Sequence, residues 1–202
     1  MALPLHGVRV VEVTTMVAGP TCGRVLCDWG ASVVKVEPPG GDAARIVTST
    51  AFGSDNAGKK SIVLDLKGAA GLNALHALLQ QADVFLSNFR TVALQRLGLT
   101  QKELQPRYPQ LVVATLTAYG TNGPDKDRPG YDLAAFWARS GLGMAHVPMG
   151  RSPQVATLAA SPRAAPYDLA RSRGLPRHPL AHSLITVHGL RRKTRGLGQV
   201  TI

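Results

Sequence analysis

The hydrophobic positions open with a β-branched run, Val8–Val13, too continuous for a helical stripe, and a second such run follows at Ser32–Val36. Between them Thr21–Trp29 fits a short helix, with Pro20 where a missing N–H is harmless and Gly30 as the stop. A strand, helix, strand unit with short joins predicts a mostly parallel sheet with helices packed on it. Pro38-Pro39-Gly40-Gly41 cuts off the second strand, and Asp42–Lys60 reads as a long irregular excursion holding a short strand or helix. Ser61–Asp65 is the next strand, and Ala70–Gln81 a helix whose Leu72, Leu75, Leu78 and Leu79 share one face. Asp83–Ser87 is a strand followed by the loop Asn88-Phe89-Arg90, and short helices at Leu94–Leu97 and Gln101–Leu104 flank a turn at Gly98. Leu111–Leu116 is a further strand, Thr117–Pro129 a loop with Gly120 and Gly123, and Tyr131–Ser140 the last helix, ending near Gly143. The fold class is therefore α/β, an open, mostly parallel sheet with flanking helices.

Beyond Gly150 neither a period of 3.6 nor one of 2 persists, although Leu184–Leu190 has the composition of one strand without an evident partner. Charge changes at the same place. The formal net charge is +11, but residues 1–150 carry 14 Lys and Arg against 11 Asp and Glu, whereas residues 151–202 carry nine against one. Two regions are expected: a folded α/β region over 1–150 and a basic, Pro- and Arg-rich tail over 151–202 that is loosely attached and poorly ordered. With its basicity concentrated in the tail, the folded region has the balance of a domain that binds a phosphorylated ligand through a few placed residues, not of a nucleic-acid or membrane binder.

Cys22 and Cys27 lie five residues apart in a helix, which suits neither a disulfide nor a structural zinc site and points to a reducing, cytoplasmic setting. His178, His182 and His188 lack a fourth ligand and read as surface histidines, so no metal site is expected. Met1–Leu5 lacks the basic start and apolar run of a secretory signal, and no apolar stretch is long enough for a membrane span.

Several segments in order resemble one family. They are Gly7–Glu12, Ala18-Gly19-Pro20, Leu26–Asp42, Gly58–Ile62 with Leu64–Lys67, Ala82-Asp83-Val84 with Asn88-Phe89-Arg90, Arg96–Leu99, Tyr119-Gly120 with Gly123-Pro124, and Arg128–Asp132. In this order and spacing, over about residues 5 to 150, the chain resembles the amino-terminal part of the class III coenzyme A-transferases (CaiB/BaiF type), relatives of formyl-CoA transferases and 2-methylacyl-CoA racemases. The resemblance implies the large domain of that family, which binds coenzyme A at the carboxyl ends of parallel strands and pairs as an interlocked homodimer. It implies that Ala18, Lys35, Val36, Glu37, Pro38, Leu66, Lys67, Asn88, Phe89, Arg90, Arg96 and Leu97 line the coenzyme A site, with Lys67, Arg90 and Arg96 toward phosphates. Coenzyme A or an acyl-CoA is then a substrate together with a small carboxylic acid, and no permanently bound cofactor is implied.

In the family an aspartate attacks the donor thioester to give a mixed anhydride. Coenzyme A thiolate then displaces the donor acid to leave an aspartyl thioester, and an acceptor carboxylate reverses the steps. That aspartate lies downstream of the Gly130-Tyr131-Asp132 segment, but the matching text ends near Gly150-Arg151-Ser152-Pro153. Asp132 reads as a helix cap, and Asp168, the only acidic residue beyond, sits in a context unlike the family's, so no nucleophile is assigned. Members of the family are longer, and the rise in Arg and Pro after residue 150 fits a truncated product or a shifted reading frame, with an inactive chain as the consequence. Tyr131 stands where the racemase branch has histidine, which favours the transferase branch. A non-catalytic coenzyme A-binding fragment is the main rival. A binder of anionic surfaces acting through Arg191, Arg192, Lys193 and Arg195 is the third reading, weakened by the absence of interleaved aromatics.

Overall fold

The computed structural model describes residues 3–47 and 49–131, and the backbone of 184–188 and 200–201. The chain divides into two compact units, one of Met1–Leu116 with Ile185–Ile202 and the other of Thr117–Leu184. The first contains the sheet. Strands β1 (Arg9–Val13), β2 (Ser32–Glu37), β3 (Lys60–Val63), β4 (Val84–Ser87) and β5 (Val112–Thr117) are parallel, and they lie in the order β3-β2-β1-β4-β5-β6-β7. The last two are β6 (Leu184–His188) and β7 (Val200–Thr201), an antiparallel pair with Thr186 opposite Thr201. The strand expected near Leu184 therefore has partners; they were not evident because the pairing is non-local. The expected helix over Tyr131–Ser140, Asp132, Asp168, the three tail histidines' side chains and the Arg191–Arg195 cluster lie outside the described residues.

The inner parallel strands β1, β2, β4 and β5 are covered on both faces, which explains why they read as apolar, β-branched runs, whereas edge strand β3 exposes all four of its residues. On one face Val11, Val13, Val36, Phe85 and Val113 pack under α4 (Ala69–Gln80), α5 (Thr91–Leu97) and α6 (Gln101–Arg107) through Leu75, Leu79, Leu94 and Leu104. On the other, Val10, Val33, Leu86, Ala114 and Leu116 pack with Cys22, Leu26 and Cys27 of α1 (Ala18–Asp28). Helix α1 begins three residues earlier than its apolar pattern indicates: Pro20 occupies the first turn, where no intrahelical donor is required, and the Thr21 N–H makes the first bond, to Val17 O at 2.8 Å. The Asp42–Lys60 excursion is two short helices, α2 (Ala44–Val47) and α3 (Ser49–Asn56). Helix α3 buries none of its residues, so no apolar stripe announces it. The turn after α5 uses Gly98 at φ 67°, and α6 opens with a capping box between Thr100 and Glu103.

The end of β2 is clamped to its neighbours by Glu37, whose buried carboxylate accepts from Arg45 Nε and Nη2 at 2.7 Å each, from Ser61 Oγ at 2.6 Å and from the Asp42 N–H at 3.0 Å. The Arg45 guanidinium, with Ser61 and the Asp42 amide, pulls this carboxyl down to about 2 against the opposing effect of burial. The folded value lies below the ordinary 4.5, so its stabilisation is complete above that value and is lost as pH falls toward 2.

Two outcomes are expected. In urea unfolding across pH, the stability gap between wild type and Glu37→Gln should narrow by up to about 3 kcal/mol as pH drops from 5 to 2; a constant gap would show that the clamp does not depress the carboxyl. Gly23 and Gly53 are both helical, but a Cβ at Gly23 would overlap Glu12 Oε2 and lie 3.1 Å from Lys59 Nζ, while one at Gly53 meets nothing within 4 Å. Gly53→Ala should therefore raise stability by roughly 0.5–1 kcal/mol, and Gly23→Ala should lower it by about 2 kcal/mol or more despite the same gain in helix propensity. Equal effects in a denaturation titration would contradict this packing.

Candidate functional site

The strand order reverses at β1: the chain runs outward through β2 and β3, then returns to place β4 and β5 on the opposite side. Open sheets of this kind hold ligands outside the carboxyl ends of the strands at that switch point. Here the switch lies between β1 and β4, and the two loops that leave them are joined by a reciprocal pair of bonds. The Thr15 N–H donates to Asn88 Oδ1 at 2.9 Å, and Asn88 Nδ2 donates to Thr15 O at 2.8 Å. Ser87 Oγ adds a bond to Val13 O at 2.8 Å. Gly19 is required beside them, since a Cβ there would lie 2.6 Å from Thr14 Cβ and 3.0 Å from Asn88 Cγ.

The residues implied by the resemblance separate by depth. Ala18, Pro38, Lys67 and Arg90 are exposed in or next to loops after β1, β2, β3 and β4. Asn88 is half-buried there, and Phe89 and Leu66 are half-buried with apolar atoms against the core. At ordinary strand spacing, the β3 and β4 loops that carry Lys67 and Arg90 are separated by three strand intervals, about 14 Å. Arg96 is exposed near the carboxyl end of α5, and Leu97 beside it packs on the core. Val36 is a core residue, and Glu37 is engaged by Arg45, Ser61 and Asp42.

Lys35 is different from the other cations. Its side chain is 1% exposed, and its ammonium contacts Thr14 O at 3.1 Å, Glu12 Oε1 at 3.5 Å and Asp42 Oδ2 at 2.9 Å. Glu12 is the register partner of Lys35 across β1 and β2, so both point to the α1 face. Glu12 also pairs with Lys59 Nζ, 2.8 Å from Oε2, and Lys59 further donates to Pro20 O at 2.7 Å and Asn56 Oδ1 at 3.0 Å. Two ammonium groups and two carboxylates thus neutralise one another inside the protein. Burial pushes the Lys59 pKa down, against the raising influence of Glu12. Burial pushes Asp42 up, but donation from the Ala44 amide, Lys35 and Thr15 outweighs it and holds that carboxyl below the ordinary range. Burial and the nearby Glu12 raise the Cys22 thiol, and burial raises Cys27, so neither is set up as a thiolate nucleophile.

Sequence reading passed over Glu12, Asp42 and Lys59 as functional groups. The available signal was a charge within each β-branched run, Glu12 in RVVEV and Lys35 in SVVKVE, where an unpaired charge is not tolerated. A depression lined by Arg9, Ser32, Leu78 and Gln81 opens at the opposite, amino-terminal ends of β1 and β2, away from these loops. Among the described residues no group of three or more His, Cys, Asp and Glu could hold a metal ion, and no helix is long and apolar enough to cross a membrane.

The profile of CoA-transferase family III matches residues 5–162. The chain is 37% identical over 160 residues to the (R)-2-hydroxy-4-methylpentanoate CoA-transferase of Clostridioides difficile, covering 74% of this chain and 40% of that protein. It is 44% identical over 147 residues to the cinnamoyl-CoA:phenyllactate CoA-transferase of Clostridium sporogenes, covering 67% of this chain and 36% of that one. The crystal structure of Rv3272 from Mycobacterium tuberculosis superposes with a TM-score of 0.74 at 41% identity, over 85% of this chain and 50% of that chain. The chain spans less than half the length of the two curated relatives. With the family profile covering most of its residues and the same fold beneath it, the chain belongs to CoA-transferase family III.

Proposed function

We propose that this chain supplies the coenzyme A-binding part of an enzyme that moves coenzyme A from an acyl-CoA thioester to a carboxylic acid. The observation that carries the reading is the set of loops at the carboxyl ends of the parallel strands, where the loop after β4 presents Asn88, Phe89 and exposed Arg90 and the loop after β3 presents exposed Lys67. The cations inside the sheet are fully engaged by carboxylates, whereas these two are available to a polyanion. A guanidinium and an ammonium about three strand intervals apart suit phosphate groups at different points of one extended ligand. Phe89, part of its surface packed on the core, offers an apolar face to the adenine or pantetheine portion. Family membership and the named activities of the relatives support the reaction class.

The chemistry that fits is covalent exchange. A carboxylate attacks the thioester carbonyl, the C–S bond breaks, and coenzyme A leaves as the thiolate; the thiolate then attacks the resulting anhydride and releases the donor acid. The acceptor carboxylate reverses both steps, so no net proton is consumed. None of Glu12, Glu37 or Asp42 suits the attacking role, because each is buried and committed to cations or N–H donors. The nucleophile is assigned to a residue outside this group. A homodimer with a second copy of the chain completes the proposal, as the resemblance implies.

Calorimetric titration with coenzyme A should show saturable binding, weakened roughly tenfold in Lys67→Ala and in Arg90→Ala, the size of one charge-assisted hydrogen bond. Binding that is absent, or unaffected by either substitution, would refute the site. Mass-spectrometric detection of transfer between a panel of acyl-CoA donors and acids then separates the two remaining readings. Transfer would show a nucleophile within these 202 residues, and binding without transfer would make this chain a binding part only.

A further inference from the structure

We propose that Asp42 is a positioning residue for this site: through Thr15 and the backbone of Met16 it sets the conformation of the loop between β1 and α1. The inference rests on the coenzyme A-binding reading above. Met16 adopts φ 65°, the one left-handed non-glycine residue among those described. A long side chain does not prefer that region, and a conformation of this kind persists only where its surroundings over-determine it.

Those surroundings are identifiable. Asp42 Oδ1 accepts from Thr15 Oγ1 at 2.8 Å, from the Met16 N–H at 3.3 Å and from the Ala44 N–H at 3.0 Å. The bond to Ala44 is enough to open helix α2; the other two reach across to a different loop. Asp42 is in turn anchored from below by Lys35 at 2.9 Å and through its own N–H by Glu37 at 3.0 Å. From the other side Asn88 grips the Thr15 backbone at both its N–H and its carbonyl. Thr15 is therefore held by the loop after β2 and the loop after β4 at once. Behind it the close approach of Gly19 to Thr14 and Asn88 leaves no slack.

Two links in this chain of contacts coincide with site residues. Asn88 belongs to the loop that carries Phe89 and Arg90, and Ala18 follows directly on the strained turn. Lys35 thereby takes a role other than phosphate contact: its charge is spent inside, holding Asp42 in place. A binding site assembled from loops of separate strands needs such bracing, since its affinity depends on groups that are already in position when the ligand arrives.

Substituting Asp42 itself strands the Lys35 charge and confounds folding with positioning, so the test acts on the partner. Thr15→Val keeps the β-branched shape and removes the hydroxyl that reaches Asp42, and Thr15→Ser keeps the hydroxyl. Hydrogen exchange of the ligand-free protein, followed by mass spectrometry, should show residues 16–19 exchanging roughly fivefold faster in Thr15→Val, the size set by one net hydrogen bond. The urea midpoint should fall by no more than that one bond accounts for, the Kd for coenzyme A should rise by a similar factor, and Thr15→Ser should restore exchange, midpoint and Kd. Unchanged exchange would overturn the proposal, and so would faster exchange with unaltered coenzyme A affinity. If wild type fails to bind coenzyme A, the proposed function falls, while the exchange comparison still decides whether Asp42 holds the loop.

Discussion

Glu12 and Lys35 stand opposite each other on adjacent parallel strands and face the same helix from inside the protein. Neither charge is tolerable there alone, since removing a buried ion's partner costs more than the pair contributes. Lys59 and Asp42 complete the set, so that each charge is answered by a group from another segment: β1, β2, the loop after β2 and the residue preceding β3. That mutual requirement ties together elements far apart in the chain. It also dictates the surface of α1, where Gly23 must leave room for the Glu12 carboxylate and Gly19 for Thr14.

The same interior decides which cations are taken up by carboxylates and which stay in solvent. Lys35 and Lys59 are consumed, Arg45 is half-exposed yet held bidentate by Glu37, and Lys67, Arg90 and Arg96 stand in solvent. At the surface a cation that pairs with no carboxylate costs little, because water solvates it. The division between engaged and solvent-exposed charge is thus made by depth.

These loops form only part of a larger enzyme's machinery in the relatives, whose aligned segments are 36–40% of their length. What this chain contributes is position: a switch point where neighbouring loops are cross-bonded by Asn88 and Asp42 before any substrate is present. Loops braced in this way hold the groups they carry in fixed relative positions.

Strands β1 to β5 and the two longer helices were legible in sequence, whereas β7 was not. The inner strands β1, β2, β4 and β5, covered on both faces, require apolar runs, and α4 needs its leucine stripe to seat on them. Helix α3 was not, because it buries nothing, and β6 lacked a visible partner because strand pairing is a relation between distant segments. Family-like motifs singled out positions along the chain but not which way each side chain turns. Lys35 lies within a predicted strand and Lys67 after one, but the sequence did not name the partners of either. The tertiary structure supplied those partners: strand parity sends Lys35 beneath α1 against Glu12 and Asp42, while the end of β3 leaves Lys67 in solvent. Sequence determined which groups are present and the periodicity that builds the elements. The electrostatic environment of each group depends on non-local neighbours, and the folded arrangement alone supplies those.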